Sequence, residues 1–217
     1  MSAELRFYED TPFALSEIQM ASGTARAIYI SAGHMTINDA VLAADDGIVS
    51  TDKLSIRVGD EGATVWRWEV VPTSAPEMLF NGRGTLRLGA PIDGVQISDN
   101  LLMRLDSVAF PPGGCAFRHT HQGPGIRCLR EGSIRIDTEG LSASYGPGGA
   151  WFEAGPEPVF AQADQEKPSR FIRAMVLPYA IMGASSIHYV NEADRVKPKS
   201  QTYRVWSEAP FAIPEAV

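Results

Sequence analysis

The sequence has little of three features that would each indicate a particular class of protein. It has two cysteines in 217 residues, Cys115 and Cys128, which are too few for a disulfide framework and form no Cys-x-x-Cys pair. Its net charge is −7, and no cluster of lysine or arginine indicates binding to nucleic acid or to an anionic membrane. No apolar run approaches the roughly 18 residues of a spanning helix. We therefore predict no nucleic-acid partner and no contact with a membrane.

The N-terminal segment MSAELRFYED lacks a basic stretch followed by an apolar run, so we expect no signal peptide. Together with the scarcity of cysteine, this favours a reducing cytoplasm. An apolar fraction of 44% and a charged fraction of 21% are ordinary for a globular protein, and 217 residues suffice for one domain with a proper core.

Helical periodicity is also nearly missing, whereas short runs of alternating apolar and polar residues recur between Gly, Pro, Asn and Asp. The clearest runs are KLSIRV (53–58), TVWRWEVV (64–71), GTLRLG (84–89), SIRID (133–137) and RFIRAMVL (170–177). RAIYIS (26–31), in the less regular first 50 residues, and the final alternating run QTYRVW (201–206) are further candidates. This pattern predicts an all-β sandwich or barrel. We assign a barrel to residues 60–180, an N-terminal extension with strands to 1–59, and a C-terminal extension to 181–217 that packs on the barrel or a partner subunit.

The segment GGCAFRHTHQGPGIRCLREG, residues 113–132, carries the main chemical signal. Side chains two apart on a strand share a face, so Phe117, His119 and His121 are expected to point the same way. Two imidazoles on one face can converge on a single metal ion.

This segment resembles the first motif of the cupin superfamily, which reads glycine, five residues, His-x-His, three or four residues, Glu, six residues, glycine. Gly113, His119, His121 and Gly132 fall into register with it. The expected glutamate does not, because Gly125 and Ile126 stand at the two possible positions.

Residues 146–162, GPGGAWFEAGPEPVFAQ, resemble the second cupin motif, whose central part is Pro-x-Gly, two residues, His, three residues, Asn. Gly155 matches the glycine, Glu153 stands in the proline position, and Pro158 and Gln162 replace the histidine and the asparagine. The resemblance implies a small jelly-roll barrel with its site in the barrel mouth, and often a homodimer. It implies little about the substrate, because one fold hosts many chemistries.

A metal held by His119 and His121 needs a further ligand. Glu153 would complete a two-histidine, one-carboxylate set that suits non-haem iron, although a carboxylate in a Gly-Pro turn can also be a plain surface group. The other candidates are Gln122, Cys115, His34 and His188. The sequence does not choose between iron, zinc, manganese and nickel, nor between a bound metal and none.

Arg127 is expected to face the barrel interior if Gly125 occupies the inward position of the missing glutamate. A buried guanidinium needs an anion, so Arg127 pairs either with a substrate carboxylate or with a protein carboxylate such as Glu153. We assign Glu153 and Arg127 to catalysis, and Phe117, Gln122 and Trp151 to substrate binding beside Arg127.

Two functions remain open at this point. The first is a metal-dependent cupin enzyme of dioxygenase, lyase or isomerase type that acts on a small carboxylated organic molecule. The alternative is a metal-free cupin that binds a small ligand, as a sensor or as an acid-base catalyst.

Overall fold

The computed structural model describes residues 2–92 and 100–213, which form an almost entirely β protein. Helical structure in these ranges is limited to the single turn α1 (Glu192–Arg195) and two three-residue 3-10 helices. The strands are β1 (Ala3–Asp10), β2 (Glu17–Met20), β3 (Arg26–Ile37), β4 (Ala40–Ala43), β5 (Gly47–Ser50), β6 (Leu54–Pro72), β7 (Gly84–Pro91), β8 (Leu101–Phe110), β9 (Cys115–His121), β10 (Gly125–Glu131), β11 (Ile134–Thr138), β12 (Leu141–Tyr145), β13 (Ala150–Glu153), β14 (Val159–Ala163), β15 (Ser169–Pro178), β16 (Ile187–Tyr189) and β17 (Thr202–Phe211).

The first seven strands form one antiparallel sheet, called here the N-terminal sheet. Its order is β4-β3-β6-β1-β7, with β2 paired to β6 and β5 paired to β3. The 19-residue strand β6 organises it, because β1, β2 and β3 all pair with β6. The segment TVWRWEVV is buried on both faces of the sheet, which explains its high apolar content.

Two further antiparallel sheets of five strands each make up the C-terminal half. The middle sheet has the order β13-β10-β15-β8-β17, and the outer sheet has the order β12-β11-β14-β9-β16. Their facing sides enclose an apolar core that includes Val108, Leu129, Ile136, Val159 and Phe171. The candidate site lies between the same two sheets.

The N-terminal sheet packs on the other side of the middle sheet, so the molecule has three β layers. Trp66 and Trp68 belong to the core that joins these two layers, as the alternation along β6 predicts, together with Met103, Ile126 and Ala174 of the middle sheet. Layered burial of this kind gives both halves a shared apolar interface.

The predicted all-β class is confirmed, but the domain limits differ from the sequence estimate. The limit between residues 59 and 60 falls inside β6, so residues 60–72 belong to the N-terminal sheet. The segment beyond residue 180 contributes β16 to the outer sheet and β17 to the middle sheet. Local alternation could not show these pairings, because the partner strands are distant in sequence. No helix in the described part of the chain is long and apolar enough to cross a membrane.

Candidate functional site

Strand β9 places two histidines inside the space between the middle and outer sheets. His119 and His121 are 4% and 5% exposed. The pairing of β9 with β14 shifts by one residue between His119 and Ala116, which marks a β-bulge. Because of this bulge Ala116 lines the interior with the histidines while Phe117 does not. The predicted position of Phe117 beside the histidines is therefore wrong, and its ring lies 4.8 Å from the Lys197 ammonium instead.

The two imidazoles approach each other through their Nε2 atoms, which are 3.2 Å apart. His119 Nδ1 lies 2.7 Å from the Phe117 carbonyl oxygen, and since a carbonyl only accepts, this nitrogen must carry the proton. His121 Nδ1 lies 3.3 Å from the Ser186 hydroxyl, which can donate or accept. His119 therefore presents an unprotonated Nε2 lone pair to its neighbour.

Both histidines are held in the neutral form. Burial lowers the pKa of His119, against the opposing effect of the Glu153 carboxylate. Burial lowers the pKa of His121 still further, and the positive charges of Arg173 and Arg127 act in the same direction. Neutral imidazole is the form that binds a metal ion or accepts a proton.

Glu153, at the end of β13, lies beside the histidines but is already engaged. Its Oε2 is 2.7 Å from Arg127 Nη2 and 3.6 Å from His121 Nε2. Its Oε1 accepts a hydrogen bond of 2.8 Å from the Trp151 indole. The backbone N–H of His121 donates to the Gly155 carbonyl at 2.7 Å, which ties β9 to the segment that carries Glu153.

Arg127 explains why glycine stands where the cupin motif has a glutamate. The Arg127 guanidinium donates from Nη1 to the Gly125 carbonyl at 2.6 Å, and a Cβ at Gly125 would lie 3.1 Å from that nitrogen and 2.8 Å from the Ala174 carbonyl. A glutamate side chain and this arginine cannot share the space. Burial lowers the pKa of Arg127 to about 10, partly offset by Glu153.

Arg173 on β15 is a further site residue, which the motif spacing does not indicate. It pairs directly across the sheet with Arg127, and it makes two hydrogen bonds, of 2.6 and 3.1 Å, to the buried Asp106 carboxylate. Like charges on directly opposite strand positions repel, so Glu153 and Asp106 are both needed to hold the two arginines together. The signal in the sequence was Arg173 itself, a charged residue within the apolar run of β15.

The two site arginines have donors that their protein partners do not use. Among the described residues, no hydrogen-bond acceptor is found for the buried Nε of Arg127. The two bonds from Arg173 to Asp106 come from Nε and Nη2 and do not involve Nη1. By contrast, all three nitrogens of the buried Arg67 in the N-terminal sheet have an oxygen of Asp10, Glu69 or Met78 within 3.3 Å. Buried donors are normally paired, so the open ones in the site indicate room for a ligand oxygen.

A small cavity of about 20 Å³ lies at the histidine pair. That volume holds a water molecule or an ion but no organic substrate. Trp151 and Gln122 do not line it, so neither contacts this space as predicted, although Trp151 does hold Glu153. A depression of about 580 Å³ near Arg118 and Leu141 is larger but contains no histidine. The cavity walls include His119, His121, Arg127, Glu153, Arg173, Ile187 and Tyr203.

The fit of a metal ion can be judged from the donor atoms. Two Nε2 atoms 3.2 Å apart match two ligands at about 2.0–2.1 Å from one ion. Within residues 2–92 and 100–213, however, no group of three or more His, Cys, Asp and Glu side chains is arranged to hold a metal. Glu153 is bound to Arg127 and Trp151, while Gln122, Cys115, His34 and His188 do not line the cavity. The histidines fit an ion as a pair, and the remaining positions would fall to water or substrate oxygen.

The arrangement of the two C-terminal sheets defines a cupin-type fold, as the motif resemblance predicted. A Bacillus subtilis oxalate decarboxylase is similar, with a TM-score of 0.57, 11% identity, and coverage of 91% of this chain and 73% of that chain. Salicylate 1,2-dioxygenase from Pseudoaminobacter salicylatoxidans has a TM-score of 0.54 at 10% identity, covering 94% and 74%.

A cupin 2 conserved barrel domain protein from Leptotrichia buccalis has a TM-score of 0.50 at 13% identity, and the match covers 81% of this chain and 84% of that protein. No protein-family model matches the sequence, and a search of curated proteins finds no match either. At these identities the similarity establishes the fold alone.

Proposed function

We propose that the protein is a cupin-type enzyme in which His119 and His121 hold a divalent transition metal, and which acts on a small carboxylated organic molecule. The observation that carries the proposal is the convergence of the two Nε2 atoms at 3.2 Å in a small buried cavity. When bound, the ion supplies a Lewis acid or a binding place for dioxygen. Iron, zinc, manganese and nickel all suit two imidazoles with oxygen ligands.

The other residues of the site support this reaction class. Arg173 lines both the histidine cavity and a larger adjoining cleft of about 240 Å³, so it would take an oxygen of a substrate carboxylate that enters from the cleft. Arg127, which lines the cavity alone, would bind a carboxylate oxygen that reaches the histidines. Glu153, fixed by Arg127 and Trp151, would face the reacting atoms as an acid-base group. The similar B. subtilis enzyme acts on oxalate, a small carboxylate, and its structures include Mn(II) centres. Dioxygenase, lyase and isomerase chemistry remain equally compatible with these groups.

The test is a metal analysis of protein purified without a histidine tag and supplied with each of the four metals. We expect close to one equivalent of one metal in the wild type and a large loss in His119→Ala and His121→Ala. His188→Ala is the matched control, because His188 is exposed on β16. Less than about a tenth of an equivalent of every metal in the wild type would refute the proposal.

A metal-free acid-base or ligand-binding cupin is the second candidate, and one observation favours it. Ser186 can donate to His121 Nδ1, His121 Nε2–H to His119 Nε2, and His119 Nδ1–H to the Phe117 carbonyl. This relay satisfies both imidazoles without an ion. Unchanged activity after complete removal of metal would select this function.

We further propose that the protein is a cytoplasmic homodimer, as the cupin resemblance implies. Light scattering coupled to size-exclusion chromatography measures the mass directly, and a mass close to 23.5 kDa would show a monomer instead.

A further inference from the structure

A second, larger space adjoins the histidine cavity. It is a cleft of about 240 Å³ between the edge strands β16 and β17. Arg173, Ile187 and Tyr203 line both the cleft and the cavity, so they form the partition between them. The cleft therefore adjoins the cavity on the side where β16 and β17 form the edges of the outer and middle sheets.

The charged side chains of the cleft are held by ion pairs. Arg104 Nε donates to Glu208 at 2.5 Å, and Arg173 donates from Nε and Nη2 to Asp106. Arg173 is buried, and its two bonds to Asp106 do not use Nη1. A ligand oxygen that accepts from Nη1 therefore leaves both bonds to Asp106 intact.

The remaining walls are small or apolar. Ala184, Ile187 and Val205 line the cleft beside the hydroxyl groups of Ser185 and Ser186. The volume lies below the roughly 300–1,000 Å³ of pockets for drug-sized ligands. It suits a molecule with a few carbon atoms or a single ring.

We propose that this cleft binds the organic part of a small monocarboxylate, with the carboxylate on Arg173 and the apolar part against Ile187 and Val205. This proposal specifies the class of substrate for the proposed function. It rests on the proposed function for the reaction that follows at the histidines. Charge favours the carboxylate, because a hydrogen bond from the guanidinium to a carboxylate oxygen is roughly twice as strong as one to a neutral carbonyl oxygen.

The experiment measures binding of benzoate and of its neutral analogue benzamide by NMR titration, in metal-free protein and in the His119→Ala/His121→Ala variant. Benzoate is expected to bind both proteins equally and at least fivefold more tightly than benzamide. Ala184→Trp fills the cleft and should weaken benzoate binding at least tenfold. Ala143→Trp on the exposed strand β12 is the control and should have no effect.

Val205→Glu and Val205→Gln supply an independent check, because both remove the same apolar contact and they differ mainly in charge. Val205→Glu should bind benzoate severalfold more weakly than Val205→Gln, whereas the two variants should bind benzamide equally. Equal affinity for benzoate and benzamide, or an Ala184→Trp variant that binds benzoate normally, would overturn the inference. If the histidines bind metal but the cleft does not bind benzoate, the cleft proposal fails and the proposed function is unaffected. If the cleft binds benzoate but the histidines bind no metal, the proposed function fails and the cleft proposal is unaffected.

Discussion

Ser186 determines which nitrogen of His121 carries the proton. When the Ser186 hydroxyl donates to Nδ1, His121 Nε2 is protonated and bonds to His119; when it accepts, Nε2 is free for a metal ion. Ser186 can turn its proton to the Met175 sulfur, 3.8 Å away, in the second case. The hydroxyl thus supports both states of the pair.

We predict that Ser186→Ala weakens metal binding by about tenfold, as loss of an outer-shell partner usually does. Nitrogen-15 NMR of the imidazoles should also show a changed tautomer population at His121 in the metal-free protein. Ser185→Ala, one residue away and without a hydrogen bond to either histidine, is the control. An unchanged His121 spectrum would contradict the assigned role.

The neutral histidines make folding stability depend on pH. Because the pKa of each is lowered in the folded protein, the unfolded chain takes up protons first as the pH falls below about 6.5. Their stabilising effect is therefore complete above this value and is lost on acidification, by up to about 1.4 kcal/mol per pH unit for each histidine.

We predict that the free energy of unfolding in the presence of a chelator falls between pH 7.5 and 5.5, and that His119→Asn/His121→Asn reduces this fall. Urea unfolding followed by circular dichroism measures both values. His188→Asn, at an exposed position, should keep the wild-type dependence. Equal slopes for the wild type and the double variant would contradict the prediction.

At the level of single elements, β16 separates the histidines from the cleft. Ile187 pairs with His121 across the sheet and lines both spaces, so it lies between them. We predict that Ile187→Ala speeds the removal of metal by a chelator at least fivefold, without abolishing binding. Val205→Ala, which widens the cleft alone, should leave the rate near that of the wild type. A rate unchanged by Ile187→Ala would show that the ion leaves by another route.

The elements also show how far the sequence could predict the site. Alternation and turn residues indicated the main strands, and the His-x-His spacing placed His119 and His121 together correctly. The bulge that turns Phe117 away arises from pairing with β14, about 40 residues later in the chain, and local spacing does not encode it. Ser186 and Arg173 reach the site through contacts equally remote in sequence.

At the scale of the whole molecule, the apolar layer between the N-terminal and middle sheets joins the two halves. Trp68 is fully buried there and stacks on Phe7 at 4.7 Å. We predict that Trp68→Ala lowers the free energy of unfolding by about 3–5 kcal/mol, because a large cavity remains. Leu141→Ala, at a 75% exposed position, should change it by less than about 0.5 kcal/mol.

The same shared layer predicts that both halves unfold together. In a Trp151→Phe/Trp206→Phe variant, tryptophan fluorescence reports on the N-terminal layer through Trp66 and Trp68, whereas NMR signals of His119 and His121 report on the site. Coincident urea transitions by the two probes are expected in this variant. Two separate midpoints would show that the halves are stable independently.

The pairing of β17 with β8 has a consequence for synthesis of the protein. Phe211 lies opposite Leu101, so the last strand of the middle sheet is made about 100 residues after its partner. At roughly 5–20 residues per second, a ribosome needs about 5–20 s to cover that distance. During this time β8 presents an uncovered edge that can pair with other nascent chains. Newly made protein is therefore exposed to aggregation until β17 has been made, and a chaperone acting in that interval would raise its yield.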